Sequence, residues 1–150
     1  MKLRTTLITI IALGMLAATG CKNKEDDPQA DALAQQLGRL VNGGLSWGVV
    51  GGSVTKDGYD VTGQFSGFLL TIGADYTYET ANSTGIAWPA AGTWQFNNSN
   101  PNELLRDDGV LIEIVSLSPD RLILKFTVEE TSGGRIGGIT GEFTFELTPG

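Results

Sequence analysis

The chain has 150 residues, seventeen Asp and Glu against ten Lys and Arg, and no histidine. Without histidine, Ser-His-Asp and Cys-His nucleophilic catalysis are excluded, and so is the commonest zinc ligand. The acidic balance lacks the basic footprint that nucleic-acid phosphates require, and twenty-one glycines suit a small β-rich domain with many turns.

The N-terminus carries the first organised signal. Lys2 and Arg4 form a positive region, residues 7–18 are largely apolar, and Ala18-Thr19-Gly20 supplies small residues. Residues 1–20 thus have the form of a secretory signal peptide, too short for a comfortable membrane span. Cys21, the only cysteine, follows at once, so no internal disulfide can form. A cysteine in that place resembles the lipobox of bacterial lipoproteins, although Ala18 stands where leucine is more common. The resemblance implies lipid attachment at Cys21; the alternative is an ordinary signal peptide that ends near a cysteine.

Removal of 1–20 leaves 130 residues, enough for one domain. The eight basic and seventeen acidic residues that remain give a net charge of −9. Such a chain does not adhere to anionic lipid by charge, so the expected membrane contact is the lipid itself. Residues 21–27 read as a flexible acidic tether. Its run Lys24-Glu25-Asp26-Asp27 resembles the acidic stretch after the cysteine in surface lipoproteins of Bacteroidetes; a plain solvated linker is the other reading. The expected location is the outer membrane, on the periplasmic face or the cell surface.

An amphipathic helix is expected over 28–42. Asp27 suits the N-cap, Pro28 the first helical position, and Gly43-Gly44 the stop. Leu33, Leu37, Leu40 and Val41 fall on one stripe. From Leu45 the period changes to two. A first strand runs over 47–55, and Asp57-Gly58 marks a turn. Phe68, Leu70 and Ile72 alternate with polar or outward positions, as do Tyr76 and Tyr78, then Trp94 and Phe96. Asp107-Asp108-Gly109 marks a hairpin turn between 104–106 and 110–117. Ser118-Pro119-Asp120 marks another, before Leu122, Leu124, Phe126 and Val128. A Gly-rich loop over 132–138 leads to a last strand with Phe143, Phe145 and Leu147. About eight short strands in sequence, over 45–149, predict an all-β up-and-down meander closed into a barrel, because closure removes exposed edges. A two-sheet β-sandwich uses the same signals.

Taken in order, these segments resemble a family. They are the lipobox, the short helix, Trp47 on the first strand, Phe65-Ser66-Gly67-Phe68, Trp88-Pro89-Ala90-Ala91-Gly92-Thr93-Trp94 and Arg106-Asp107-Asp108-Gly109-Val110. Together they resemble lipocalin-like, calycin-type lipoproteins of Bacteroidetes over about residues 45–130. The resemblance implies a calycin-type barrel on a surface or periplasmic lipoprotein, and little about a ligand. The chain departs from true lipocalins in its Gly44-Leu45-Ser46-Trp47, one residue longer than their Gly-x-Trp.

No catalytic constellation stands out. Adjacent Asp107 and Asp108 read as hairpin punctuation, or as the carboxylates of a hydrolase. Asp57 and Asp60 read as turn residues, without the spacing of a calcium loop. Asn82-Ser83-Thr84 and Asn97-Asn98-Ser99 match the N-glycosylation pattern, which carries no information in a bacterial lipoprotein. Gly133-Gly134-Arg135-Ile136-Gly137-Gly138 is not a phosphate loop and reads as a hairpin connection or a flap. No metal site and no cofactor is expected. The aromatic residues Trp47, Tyr76, Tyr78, Trp94 and Phe96 either fill the interior or line a ligand pocket. Trp88, next to Pro89, is expected at the barrel rim or in contact with a partner.

The leading expectation is a lipid-anchored, non-catalytic binding or accessory module of the cell envelope. Its partners are then the membrane, through the N-terminal lipid, and an envelope protein. A carrier of a small apolar ligand or sugar with a hollow pocket is the alternative, and a carboxylate-based hydrolase the third reading.

Overall fold

The computed structural model describes residues 27–83, 85, 87–129 and 140–150. The signal segment 1–20, the tether except Asp27, and the Gly-rich loop 132–138 lie outside the described residues.

Helix α1 spans Pro28–Val41. Asp27 caps it by accepting from the Gln29 amide at 3.0 Å, and Pro28 opens it without wasting a hydrogen-bond donor. Asn42 ends it in the left-handed region, φ 49°. Leu40 is fully buried and Leu37 packs on the core, as the stripe requires. Gln36 is buried too and donates from Nε2 to Asn102 Oδ1 at 3.4 Å.

Nine strands follow among the described residues: β1 Trp47–Lys56, β2 Tyr59–Asp60, β3 Leu69–Ile72, β4 Thr77–Ala81, β5 Ala91–Phe96, β6 Glu103–Arg106, β7 Leu111–Ser118, β8 Arg121–Val128 and β9 Gly141–Pro149. Every pairing is antiparallel. From β3 to β9 each strand pairs with the next, and β1 pairs with both β3 and β9. Eight strands therefore close into a barrel, with β2 a two-residue addition on β1. Closure decides against the sandwich: no open edge separates two sheets. It also removes the unpaired edge groups that a sandwich must protect.

β1 serves two neighbours by bending. Trp47 and Gly48 pair with Leu70 and Leu69, whereas Thr55 and Lys56 pair with Asp60 and Tyr59. A register shift between Gly48 and Ser53 separates the halves. The bend brings backbone against backbone: a Cβ on Gly52 would lie 1.9 Å from the Glu146 carbonyl oxygen, so only glycine fits. The 3₁₀ turn Thr62–Phe65 seals the gap beside upper β1, with Val54 N–H donating to Thr62 Oγ1 at 2.9 Å.

The barrel has two distinct ends. One end gathers the start of β1, the β3–β4 and β5–β6 connections and the β7–β8 turn. Helix α1 crosses this end. Trp47 Nε1 donates to the Leu40 carbonyl at 2.8 Å, and Gln29 Nε2 donates to the Ser99 carbonyl at 3.1 Å. The other end gathers the Asp57-Gly58 turn, residues 81–83 and 87–91 and the Asp107-Asp108-Gly109 turn.

The inward residues of the eight barrel strands form one core. Leu122, Leu124 and Phe126 of β8 alternate inward and face Leu147, Phe145 and Phe143 of β9. The expected β7–β8 hairpin forms, with Ile112 opposite Phe126 and Ile114 opposite Leu124. The Phe126 ring stacks on Phe143 at 5.8 Å and on Phe145 at 5.5 Å. Phe126→Ala removes both contacts at a position only 3% exposed. It should cost about 3–5 kcal/mol in urea unfolding with the m-value unchanged. A loss below about 1 kcal/mol would contradict the inward register.

Candidate functional site

The interior is where an eight-stranded barrel either holds a ligand or is filled by its own side chains. Among the described residues it is filled by their own side chains, with a void of about 10 Å³ bordered by Tyr78, Trp88, Trp94 and Arg106 among aliphatic neighbours. That is about the space of one water molecule.

Trp88 completes the filling: the residue that the sequence places at the barrel rim or against a partner plugs the mouth from the β4–β5 connection with its ring buried, only 3% exposed. Its ring meets Tyr78 at 5.5 Å and Phe126 at 5.6 Å, both edge to face, and lies 6.4–6.5 Å from Phe145 and Phe68. The physical reason is area. An indole ring left at a rim exposes roughly 200 Å² of mostly apolar surface, worth about 5 kcal/mol when buried. Pro89 stiffens the turn that aims it inward. Among the described residues neither the Trp88 indole N–H nor the Tyr78 hydroxyl has a hydrogen-bond partner. Burial raises the pKa of Tyr78 above the ordinary phenol value, with the nearby Arg106 charge opposing that shift.

Beneath the indole lies Arg106, a buried cation at 4% exposure. Its guanidinium carbon sits 4.8 Å from the Trp88 ring centre and 5.7 Å from that of Phe126. Nη1 donates to the Ala87 carbonyl at 2.8 Å. Nε and Nη2 donate to the two oxygens of Asp108, at 3.0 and 2.5 Å. This fork-on-fork geometry makes the buried charge tolerable. Burial pushes the Asp108 carboxyl up, but the Arg106 hydrogen bonds and charge outweigh it and hold it below the usual carboxylate range.

The other expected site residues separate. Trp47 is fully buried at the helix-covered end, its N–H on Leu40. Tyr78 and Trp94 are buried beside the small void. Phe96 is half-buried and Tyr76 is 41% exposed, so neither borders the void. Tyr76 also departs from the expected alternation. It precedes β4 with φ +63°, which turns its side chain out of the strand period. There it meets Trp94 at 5.1 Å and Phe96 at 6.4 Å. The five aromatics therefore do not converge on one pocket.

The carboxylates take structural partners. Asp107 Oδ2 accepts from the Thr93 amide at 2.9 Å while its neighbour Asp108 holds Arg106. Asp57 Oδ1 accepts from the Glu142 amide at 2.8 Å, and Asp60 Oδ1 from the Thr62 amide and hydroxyl at 2.8 and 2.6 Å. Among the described residues no three His, Cys, Asp or Glu side chains group closely enough to hold a metal ion.

Sequence reasoning missed Arg106 as a core residue. The signal was present: Leu104 and Arg106 share a face in a period-two strand, and Asp108 follows two residues later. No family model matches the chain, and no match was found among curated proteins or solved structures.

The Asp108 carboxylate makes the arrangement pH-dependent. Its folded pKa lies below its unfolded value near 4, so its contribution is complete above pH 4 and is lost as pH falls through the folded value. Asp60, Asp75 and Asp120, each lowered first by a side-chain hydrogen bond to Thr62, Thr77 and Ser118, act in the same direction. Asp108→Asn should cost about 1–2 kcal/mol at pH 7, since the carboxylate is partly screened by solvent. The gap to wild type should shrink below pH 4. A gap that stays constant from pH 7 to pH 2 would contradict the role given to the Asp108 charge.

Proposed function

We propose that this protein is a lipid-anchored, non-catalytic accessory module of the cell envelope, held at the outer membrane through Cys21. The lipocalin-like lipoprotein resemblance, the lipobox-like N-terminus and the absence of histidine support this reading from sequence. The filled interior is the observation that carries it. A carrier needs several hundred Å³ of hollow space, and among the described residues Trp88, Arg106 and their neighbours leave about 10 Å³.

The outer face of the barrel supports a tethered rather than an embedded domain. Glu79, Thr93, Gln95, Glu113 and Thr127 are exposed mid-strand. Arg121 and Lys125 pair with Glu146 and Glu142 across β8 and β9, at 2.6 and 3.1 Å. Barrels that cross a bilayer turn an apolar band outward, the opposite arrangement. A protein partner in the envelope then meets the outer surface, while the core keeps that surface rigid.

Two measurements test the reading. Cys21→Ser should shift the protein from the membrane fraction to the soluble fraction; retention in the membrane would sink the lipid anchor. An apolar fluorescent probe such as anilinonaphthalene sulfonate should find no saturable site in the native protein. Saturable one-to-one binding at micromolar concentration, with quenching of tryptophan emission and a raised melting temperature, would establish the carrier reading instead.

A further inference from the structure

We infer that the barrel stands on the membrane with its helix-covered end toward the lipid, and that the end carrying Trp88, Arg106 and Asp107-Asp108 points away from it. The inference rests on the lipid-anchor reading above. It is carried by where α1 is docked and by how little chain separates it from Cys21.

Pro28 is fixed at the helix-covered end. Gln29 holds the Ser99 carbonyl and Gln36 meets Asn102, both on the β5–β6 connection, while Leu40 receives the Trp47 indole N–H at the start of β1. Since β1 lies nearly opposite β5 and β6 around the barrel, α1 is anchored on both sides of the opening it crosses.

The seven residue steps from Cys21 to Pro28 span at most about 25 Å when fully stretched. Strands β7 and β8, of eight residues each, are about 26 Å long. With a strand tilt near 40° the barrel wall is about 20 Å high, and the helix layer adds about 10 Å. With its other end on the membrane, the barrel would hold Pro28 about 25–30 Å from the lipid. The tether would also have to pass around the outside of the wall. It would need full extension or more, against the conformational entropy that stretching any chain costs. With the helix end down, the tether needs only a fraction of its length. Charge does not oppose this placement: the acidic chain has no attraction to an anionic surface that would pull either end down.

The consequence concerns the partner. The face free to meet it comprises the Asp57-Gly58 turn, exposed Tyr59 and the Asp107-Asp108-Gly109 turn, and not the helix.

The test uses the full-length acylated protein in phosphatidylcholine vesicles that carry a headgroup-labelled acceptor lipid. Cys21 is acylated, so a donor dye can be placed on a new thiol at either of two exposed positions. Pro119→Cys marks the helix-covered end and Tyr59→Cys the opposite end. Energy transfer should be several-fold stronger from position 119 than from 59. Lengthening the tether by about twenty Gly and Ser residues between Lys24 and Glu25 should bring the two values together. Equal transfer in the native-length protein, or stronger transfer from position 59, overturns the orientation. A difference that survives the long tether overturns the argument from length. Failure of the protein to sediment with the vesicles overturns the anchor itself, and with it the orientation.

Discussion

The indole of Trp88 lies on the guanidinium of Arg106 inside a closed barrel, and the rest of the structure is arranged around that contact. Eight strands enclose a space that side chains can just fill. The strands supply most of the filling from their inward positions, and Trp88 enters from the connection between β4 and β5. A buried cation with no counter-charge would be prohibitively expensive. Asp108 supplies that charge from the β6–β7 turn, and Ala87 supplies a carbonyl from the residue next to Trp88. Two connections at the same end of the barrel are thereby joined through its centre. The same contact supports the proposed accessory role, because the ring that completes the core occupies volume a ligand would need.

The two ends of the barrel are closed by different means. At one end a helix is laid across the opening and held by Trp47, Gln36 and Gln29. At the other, Phe65, Phe68 and Trp88 are packed into the mouth from connecting segments. The Phe65 ring lies 5.0 Å from that of Phe145, edge to face. A barrel plugged at both ends by its own side chains leaves its outer surface, where charged and polar residues stand beside exposed Leu111 and Val115, as the ground for the proposed accessory role.

Much of the fold was legible because the local signals agree with the global one. Asp27 and Pro28 start the helix, Leu40 marks its buried stripe, and the even-numbered residues of β8 face the core as a period of two demands. The site was harder to read. Trp88 lies in a segment with no period, so only its size and apolarity argued for burial. Tyr76 keeps the alternation in sequence but adopts a positive φ, which no pattern of residue types reveals. Arg106 sits in register with Leu104, yet a charged residue on an inward position reads as an exception until its carboxylate partner is placed. The bend in β1 depends on Gly52 meeting the Glu146 carbonyl, a contact between residues far apart in sequence.

The burial of Trp88 is the claim on which the account turns, and solution NMR tests it directly. The account predicts nuclear Overhauser contacts from the Trp88 ring protons to those of Phe126 and Tyr78. It also predicts an indole N–H that exchanges slowly with solvent and, having no acceptor among the described residues, shifts upfield. A Trp88 indole without those contacts, with a rapidly exchanging N–H at the position of an exposed tryptophan, would contradict it.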